Sequence, residues 1–430
     1  MRKLRAFDNS WRLGLERMYP LLAGLGNPER SLRIVQVAGT NGKGSVAYLT
    51  AGLLSQFTNG AVGLYTSPHL ERLTERFQLL ACGKRREITE ADLAQALEQV
   101  KKAAQELDPA LGPVTEFEAW TAAAALLFAE AGVEYAVFEV GLGGRLDATT
   151  ALPAEVAVLT SISYDHQDRL GPDLTGIARE KAAIIREGQP VVVLNQDDAA
   201  LAVIEKTAAE KKARIHPVKD RFQVHRYRPE GTSFTWFSSD LSPHRFQLGL
   251  LGKQQVQNAA AALLVLEHFV GSALVGPEGE AKAGAFLASA SWPGRFEVIS
   301  GRNGPLVLDV GHNPQALMGF LENLDLYFPD RPKWGLFGTL VDKDYRTAAA
   351  LLESYPFEGL VLTEPVSPRR LPVAELTELF TGRYRLKCEP DWRQALEIAQ
   401  EAAKAEGALL CVFGSFFLVG PVRASLGAVK

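Results

Sequence analysis

Cysteine is nearly missing: Cys82, Cys388 and Cys411 are the only thiols in 430 residues, and no two are neighbours in sequence. This excludes a disulfide scaffold and a paired-cysteine metal site, and it suits a reducing cytoplasm. An excess of one charge is missing too. The 46 basic and 50 acidic residues leave a net charge of −4, so no global field recruits nucleic acid or an acidic membrane surface. No apolar run is long enough to span a bilayer. The most hydrophobic one, 408–422, is interrupted by Gly414, Ser415 and Gly420. It falls short of the roughly 20 residues required and reads as a buried strand entering a helix. The basic N-terminal stretch lacks a following apolar segment, which argues against a secretory signal. A cytoplasmic protein with no nucleic-acid and no membrane partner is expected.

What is there is globular. The chain exceeds the roughly 250–300 residues at which a single core stops growing, so at least two domains are expected. Short β-branched runs recur at 32–38, 62–66, 135–140, 156–161 and 191–194, with helical segments free of internal proline between them. That is the βαβ rhythm of a parallel, doubly wound sheet. Continuous apolar runs such as Val191–Leu194 suggest strands covered on both faces. From 221 to 251, aromatic residues alternate with polar ones around Pro229-Glu230-Gly231, the pattern of a small antiparallel excursion. The Gly-rich stretch 271–284 and the stop Trp292-Pro293-Gly294 mark a boundary. The strand rhythm then restarts at 306–310, 334–337, 360–363 and 409–413. The expected organisation is a large α/β domain over 1–292 and a smaller Rossmann-like α/β domain over 293–430.

The strongest local signal is Gly39-Thr40-Asn41-Gly42-Lys43-Gly44-Ser45, a tight turn between a strand and a helix. Glycines let backbone amides approach phosphate oxygens, the helix N-terminus adds a positive dipole, Lys43 adds charge, and the Ser45 hydroxyl can reach Mg²⁺. The spacing is tighter than a standard Walker A loop, and Gly44 separates the lysine from the hydroxyl. An ordinary βα turn needs one glycine and has no use for the lysine.

This loop resembles the ATP loop of the Mur ligase superfamily, and specifically of folylpolyglutamate synthase/dihydrofolate synthase. Further segments similar to that family follow in order. They are Thr66-Ser67-Pro68-His69-Leu70, the acidic glycine-rich run Glu139–Thr149, Asp165-His166, Arg179–Ile184, Trp292–Glu297, Asp309–Pro314 and Gly414–Phe417. One departure is Gln254, which stands where the family usually has histidine, with Asn258 retained.

The resemblance implies an N-terminal P-loop-type ATPase domain and a ligase that adds L-glutamate to a folate-type carboxylate, such as folate or dihydropteroate. ATP would first phosphorylate the acid. It further implies ATP binding by Thr40, Asn41, Gly42, Lys43, Gly44, Ser45, Asn258, Arg295, Asp309 and His312. Mg²⁺, as one or two ions, would be held by Ser45, Glu139 and His166. Lys43, His166 and Lys181 are the implied catalytic residues, with Lys181 carrying a carbamate that turns a cation into an anionic ligand. Ser67, Pro68, His69 and Phe117 would line the acid-substrate pocket, with Glu118 and Thr121 nearby, and a monomer is expected. On the residues alone, Glu139 could instead pair with Arg145, and Lys181 could lie on a solvated helix face. A UDP-muramyl ligase is the alternative within the superfamily, but the stretch before Gly39 leaves no room for its UDP-binding domain. A nucleotide switch without ligation would need a contiguous GK[ST] loop, which this sequence lacks.

Overall fold

The computed structural model describes residues 7–8, 12–301, 304–382 and 385–427; the basic N-terminal stretch lies mostly outside them. An eight-stranded sheet is built from β1 (Arg33–Ala38), β2 (Val62–Tyr65), β3 (Phe77–Ala81), β4 (Lys84–Glu87), β5 (Tyr135–Glu139), β6 (Ala154–Leu159), β7 (Pro190–Val193) and β8 (Arg214–Pro217), in the order β4-β3-β2-β5-β1-β6-β7-β8. Pairing is parallel from β2 to β8, and β3 and β4 add an antiparallel hairpin at one edge. β2 and β5 are buried residue after residue and β1 nearly so, which is what helices on both faces of a parallel sheet demand.

The chain leaves β1 toward β2 through β5 on one side and then crosses to β6 through β8 on the other. The carboxyl end of β1 therefore lies where the strand order reverses, the place where open α/β sheets bind ligands.

β9 (Phe222–Arg228), β10 (Gly231–Phe237) and β11 (Pro243–Leu248) form a separate three-stranded sheet. The last sheet holds β12 (Glu297–Gly301), β13 (Gly304–Asp309), β14 (Lys333–Phe337), β15 (Gly359–Leu362), β16 (Arg385–Cys388) and β17 (Leu409–Phe413), in the order β12-β13-β17-β14-β15-β16. It is parallel except for the β12–β13 pair. The chain divides into two compact units, 1–223 with 234–246 and 257–289, and 224–233 with 247–256 and 290–430. Both are α/β. One unit has an aromatic core around Tyr65, Phe77, Phe128 and Phe138, the other around Phe296, Phe320, Phe337 and Phe413.

Two details of local structure add to the sequence reading. The Gly-rich stretch 271–284, read as part of a boundary, enters a helix that runs from Pro277 to Ser289; proline is well tolerated in the first turn, where its missing N–H has no partner to lose. The hairpin strand β4, Lys84-Arg85-Arg86-Glu87, gave no apolar alternation because it is an exposed edge, where charged side chains block further pairing.

Candidate active site

The turn after β1 is shaped by its neighbour β6. Gly39 has φ +143°, and a Cβ there would lie 1.9 Å from Thr160 Oγ1, so both conformation and space require glycine. The amides of Thr40 and Asn41 donate to the Ser161 carbonyl at 2.9 and 3.3 Å. The Thr40 hydroxyl donates to the Ser163 carbonyl, and the Asn41 side-chain amide reaches Ser163 Oγ at 3.4 Å. Gly42, at φ +90°, caps the helix Lys43–Leu54 and lies against the buried Asn258 side chain. The amides offered outward are thus those of the first helical turn, Lys43, Gly44 and Ser45, which have no acceptor inside the helix. Lys43 Nζ bonds the Thr40 carbonyl at 3.1 Å, and Ser45 is buried.

Glu139 ends β5, in register with Val37 of β1. It is buried, and its Oε2 accepts the Ser67 amide at 2.9 Å. Arg145 pairs with Glu180 instead, at 2.9 Å. The rest of the glycine-rich run is architectural. Asp147 is buried and accepts the amides of Gly141, Leu142 and Thr149, and burial raises its pKa against those bonds. A Cβ on Gly144 would meet the Glu180 carbonyl at 2.6 Å. Its absence lets this loop dock on the helix Leu174–Ala182, where the Arg145 amide bonds the Glu180 carbonyl.

That docking carries Lys181 inward. Its side chain is 5% exposed and Nζ donates to the Gly39 carbonyl at 2.7 Å. Burial, then the nearby Lys43 charge, push its pKa down to about 7. The solvated-face alternative therefore fails for Lys181. His166 caps the short helix Gln167–Leu170 at φ +52°, with its ring 34% exposed and 4.0 Å from Asp165.

The Ser67–Pro68 bond is cis. Glu75 accepts the amides of Leu70, Glu71 and Arg72 and pins the loop beyond it. His69 Nδ1 accepts a bond from Arg76 Nε at 3.0 Å, so the ring proton sits on Nε2. Burial first, then Arg76, lower the His69 pKa to about 4. The Phe117 ring covers Gly141 and lies 6.1 Å from Tyr65. Glu118 serves structure: it closes the N-terminal cap with Thr115 and pairs with buried Arg17 at 2.9 Å. Thr121 Oγ1 bonds the Phe117 carbonyl. Arg76 itself gave no signal in the sequence, where Leu73-Thr74-Glu75-Arg76 reads as a polar turn.

In the other unit, the Arg295 guanidinium lies 5.1 Å from the Phe416 ring, and His312 lies 5.9 Å from the same ring. His312 Nδ1 bonds the Val310 carbonyl at 3.0 Å and therefore carries the proton. Asp309 is buried, with its two carboxylate oxygens accepting the amides of Phe296 and Gly311. Gln254, the departure from the family pattern, accepts a bond from Asn323 at 3.1 Å.

Among the described residues, no group of three or more His, Cys, Asp and Glu side chains could hold a metal. The implied set of one carboxylate, one hydroxyl and one imidazole still suits Mg²⁺, because that ion keeps waters and substrate phosphates and needs only one or two protein carboxylates. Glu139 and Ser45 are both buried oxygen donors, which fits that demand.

The Mur ligase middle domain family model matches residues 37–266, and the Mur ligase glutamate ligase domain matches 294–416. The folylpolyglutamate synthase of Lacticaseibacillus casei is 34% identical over 95% of this chain and 94% of that protein. The Escherichia coli FolC structure in complex with DHPP and ADP superposes with a TM-score of 0.85 at 31% identity, covering 99% of this chain and 96% of that one. A bifunctional folylpolyglutamate synthase/dihydrofolate synthase with Mn, AMPPNP and L-glutamate bound gives 0.81 at 31%, covering 97% and 95%. A family model spanning more than half of the sequence and near-full-length relatives above 30% identity place the chain in the folylpolyglutamate synthase/dihydrofolate synthase family, ATP-dependent ligases of the Mur superfamily.

Proposed function

We propose that this protein joins L-glutamate to the carboxylate of a folate-type acid, dihydropteroate or a reduced folate, with ATP and Mg²⁺. A carboxylate oxygen attacks the γ-phosphorus and ADP leaves; the glutamate nitrogen then attacks the acyl carbon, loses a proton and displaces phosphate. The observation that carries this reading is the convergence at the Gly39 turn. An amide-rich helix start, the Lys43 ammonium and the Lys181 amine meet there, at the carboxyl end of β1 beside Glu139. Phosphoryl transfer between anions needs this kind of positioning and positive charge more than a protein nucleophile. The nucleotide, DHPP, manganese and glutamate bound in the related structures support the same substrates here.

In this reading the amides of residues 43–45, with Lys43, hold the phosphates, and Asn258 supports the turn at Gly42. Ser45, Glu139 and His166 hold Mg²⁺, which when bound neutralises the phosphate oxygens. Lys181, largely neutral at pH values above about 7, is able to attack CO₂ and become a carbamate, releasing one proton. Ser67, Pro68, His69 and Phe117 line the acid pocket. Arg295, Asp309 and His312 serve the nucleotide from the second domain, Arg295 and His312 through their side chains and Asp309 by shaping the loop at Gly311. The enzyme acts as a cytoplasmic monomer.

The test is ADP formation by purified protein with dihydropteroate, tetrahydrofolate or a UDP-muramyl acid, each with and without L-glutamate. Turnover that requires a folate-type acid and glutamate together is expected. Turnover with the UDP-muramyl acid alone among the three would overturn the reading.

A further inference from the structure

Arg76 sits where β3 begins, 8% exposed. Its Nε donates to His69 at 3.0 Å, and the Trp120 ring lies 4.6 Å from the guanidinium. Among the described residues its guanidinium makes no other hydrogen bond and no ion pair. Glu139, Glu116, Glu75 and Tyr65 are close enough to act on its charge without bonding it. Burial lowers its pKa, yet a guanidinium stays charged in a protein.

A buried cation whose two terminal nitrogens bond nothing is costly. Arg76 keeps 8% of its surface exposed, and neither terminal nitrogen is fully sealed from solvent. They form a rigid fork that matches the two oxygens of a carboxylate. The surroundings add direction: the Trp120 ring gives one aromatic wall, His69 Nδ1 is occupied by the Arg76 bond, and Ser67 is tied to Glu139. A fixed cation beside an aromatic face suits a flat aromatic acid.

We propose that Arg76 receives the carboxylate of the acid substrate, gripping both oxygens through its terminal nitrogens while Nε keeps its bond to His69. The inference rests on the folate-ligase reading and names the residue that reads the acid's charge. A carboxylate has about four lone-pair sites, so two remain for attack on phosphorus while the grip holds.

The experiment compares calorimetric binding of dihydropteroate and of its neutral primary carboxamide, in the presence of a non-hydrolysable ATP analogue, to wild type, Arg76→Gln and Arg76→Lys. Wild type should prefer the acid by about 10- to 100-fold, the scale of hydrogen bonds to a charged group. Arg76→Gln should bring that ratio to about unity at unchanged nucleotide affinity, with Arg76→Lys between. A wild type that binds acid and amide equally overturns the inference without any variant, and so does a full ratio in Arg76→Gln. Acid-dependent ADP formation by the same wild type would show the parent reading intact in either case. A wild type that binds neither compound and makes no ADP overturns both.

Discussion

The Lys181 amine and the Gly39 carbonyl are joined at 2.7 Å, a bond between a helix and the turn after β1, over 142 residues of chain. Both ends are constrained. Gly39 cannot carry a Cβ against Thr160, and Lys181 is brought there by the loop that Asp147 and Gly144 shape.

Lys181 should trade stability for activity. Its pKa lies at about 7 in the folded protein against an ordinary 10.5. A base so depressed costs stability progressively as pH falls from 10.5 to about 7, and the cost stays constant below that. At about 1.4 kcal/mol per pH unit this reaches a few kcal/mol, offset in part by the bond to Gly39. Lys181→Met should therefore unfold at a higher temperature than wild type at pH 6–7, with turnover reduced by at least about a hundredfold. A scanning-calorimetry comparison with an ADP assay checks both. Carbamate formation adds a further sign: bicarbonate should stimulate wild-type turnover in CO₂-depleted buffer more at pH 8 than at pH 6, and not stimulate the variant at all.

Thr160 offers a cleaner stability test. Its hydroxyl is buried with no partner, so an isosteric valine removes an unsatisfied polar atom and should raise stability by about 1 kcal/mol or leave it unchanged. Gly39→Ala should lower it by about 2 kcal/mol or more, through left-handed strain and overlap with Thr160. Denaturant unfolding should show a lowered midpoint in Gly39→Ala and no lowering in Thr160→Val, with nucleotide binding lost only in Gly39→Ala.

These residues also show how far the sequence is legible. The Gly39–Ser45 turn could be read because its glycines, lysine and hydroxyl lie next to one another between a strand and a helix. Glu139 could be singled out because a carboxylate closing an apolar run must find a use. Lys181 could not be placed by pattern: its helix carries Arg179, Glu180 and Lys181 in succession, and only the docking of Gly144 decides which of them turns inward. Arg76 was hidden for a different reason, since its burial depends on Trp120, which lies on a helix far along the chain. Glu118 stood beside Phe117 as a pocket candidate, but its partner Arg17 lies 101 residues away, beyond any local pattern.

Glu118 accordingly should matter for folding and not for chemistry. Removing Glu118 takes the Nε partner from buried Arg17 while Glu16 keeps its contact at 2.7 Å, at about 2 kcal/mol. Glu118→Ala should lower the urea midpoint sharply, whereas its KM for the acid and its turnover per folded molecule should match wild type at low temperature. A selective rise in KM would return Glu118 to the pocket.

His69 fixes the expected acid limit of the loop that follows β2. Its pKa falls from the ordinary 6.5 to about 4 because burial disfavours the imidazolium and Arg76 repels it. The unfolded chain therefore takes up a proton as pH drops below 6.5 while the folded one does not. The stability this group contributes is complete above pH 6.5 and is lost as pH falls toward 4, by up to about 3 kcal/mol. His69→Gln should flatten that part of the stability–pH curve. The ring resonances of His69 in wild type should titrate with a midpoint well below 6, and Arg76→Gln, which removes the repelling charge, should move the midpoint upward.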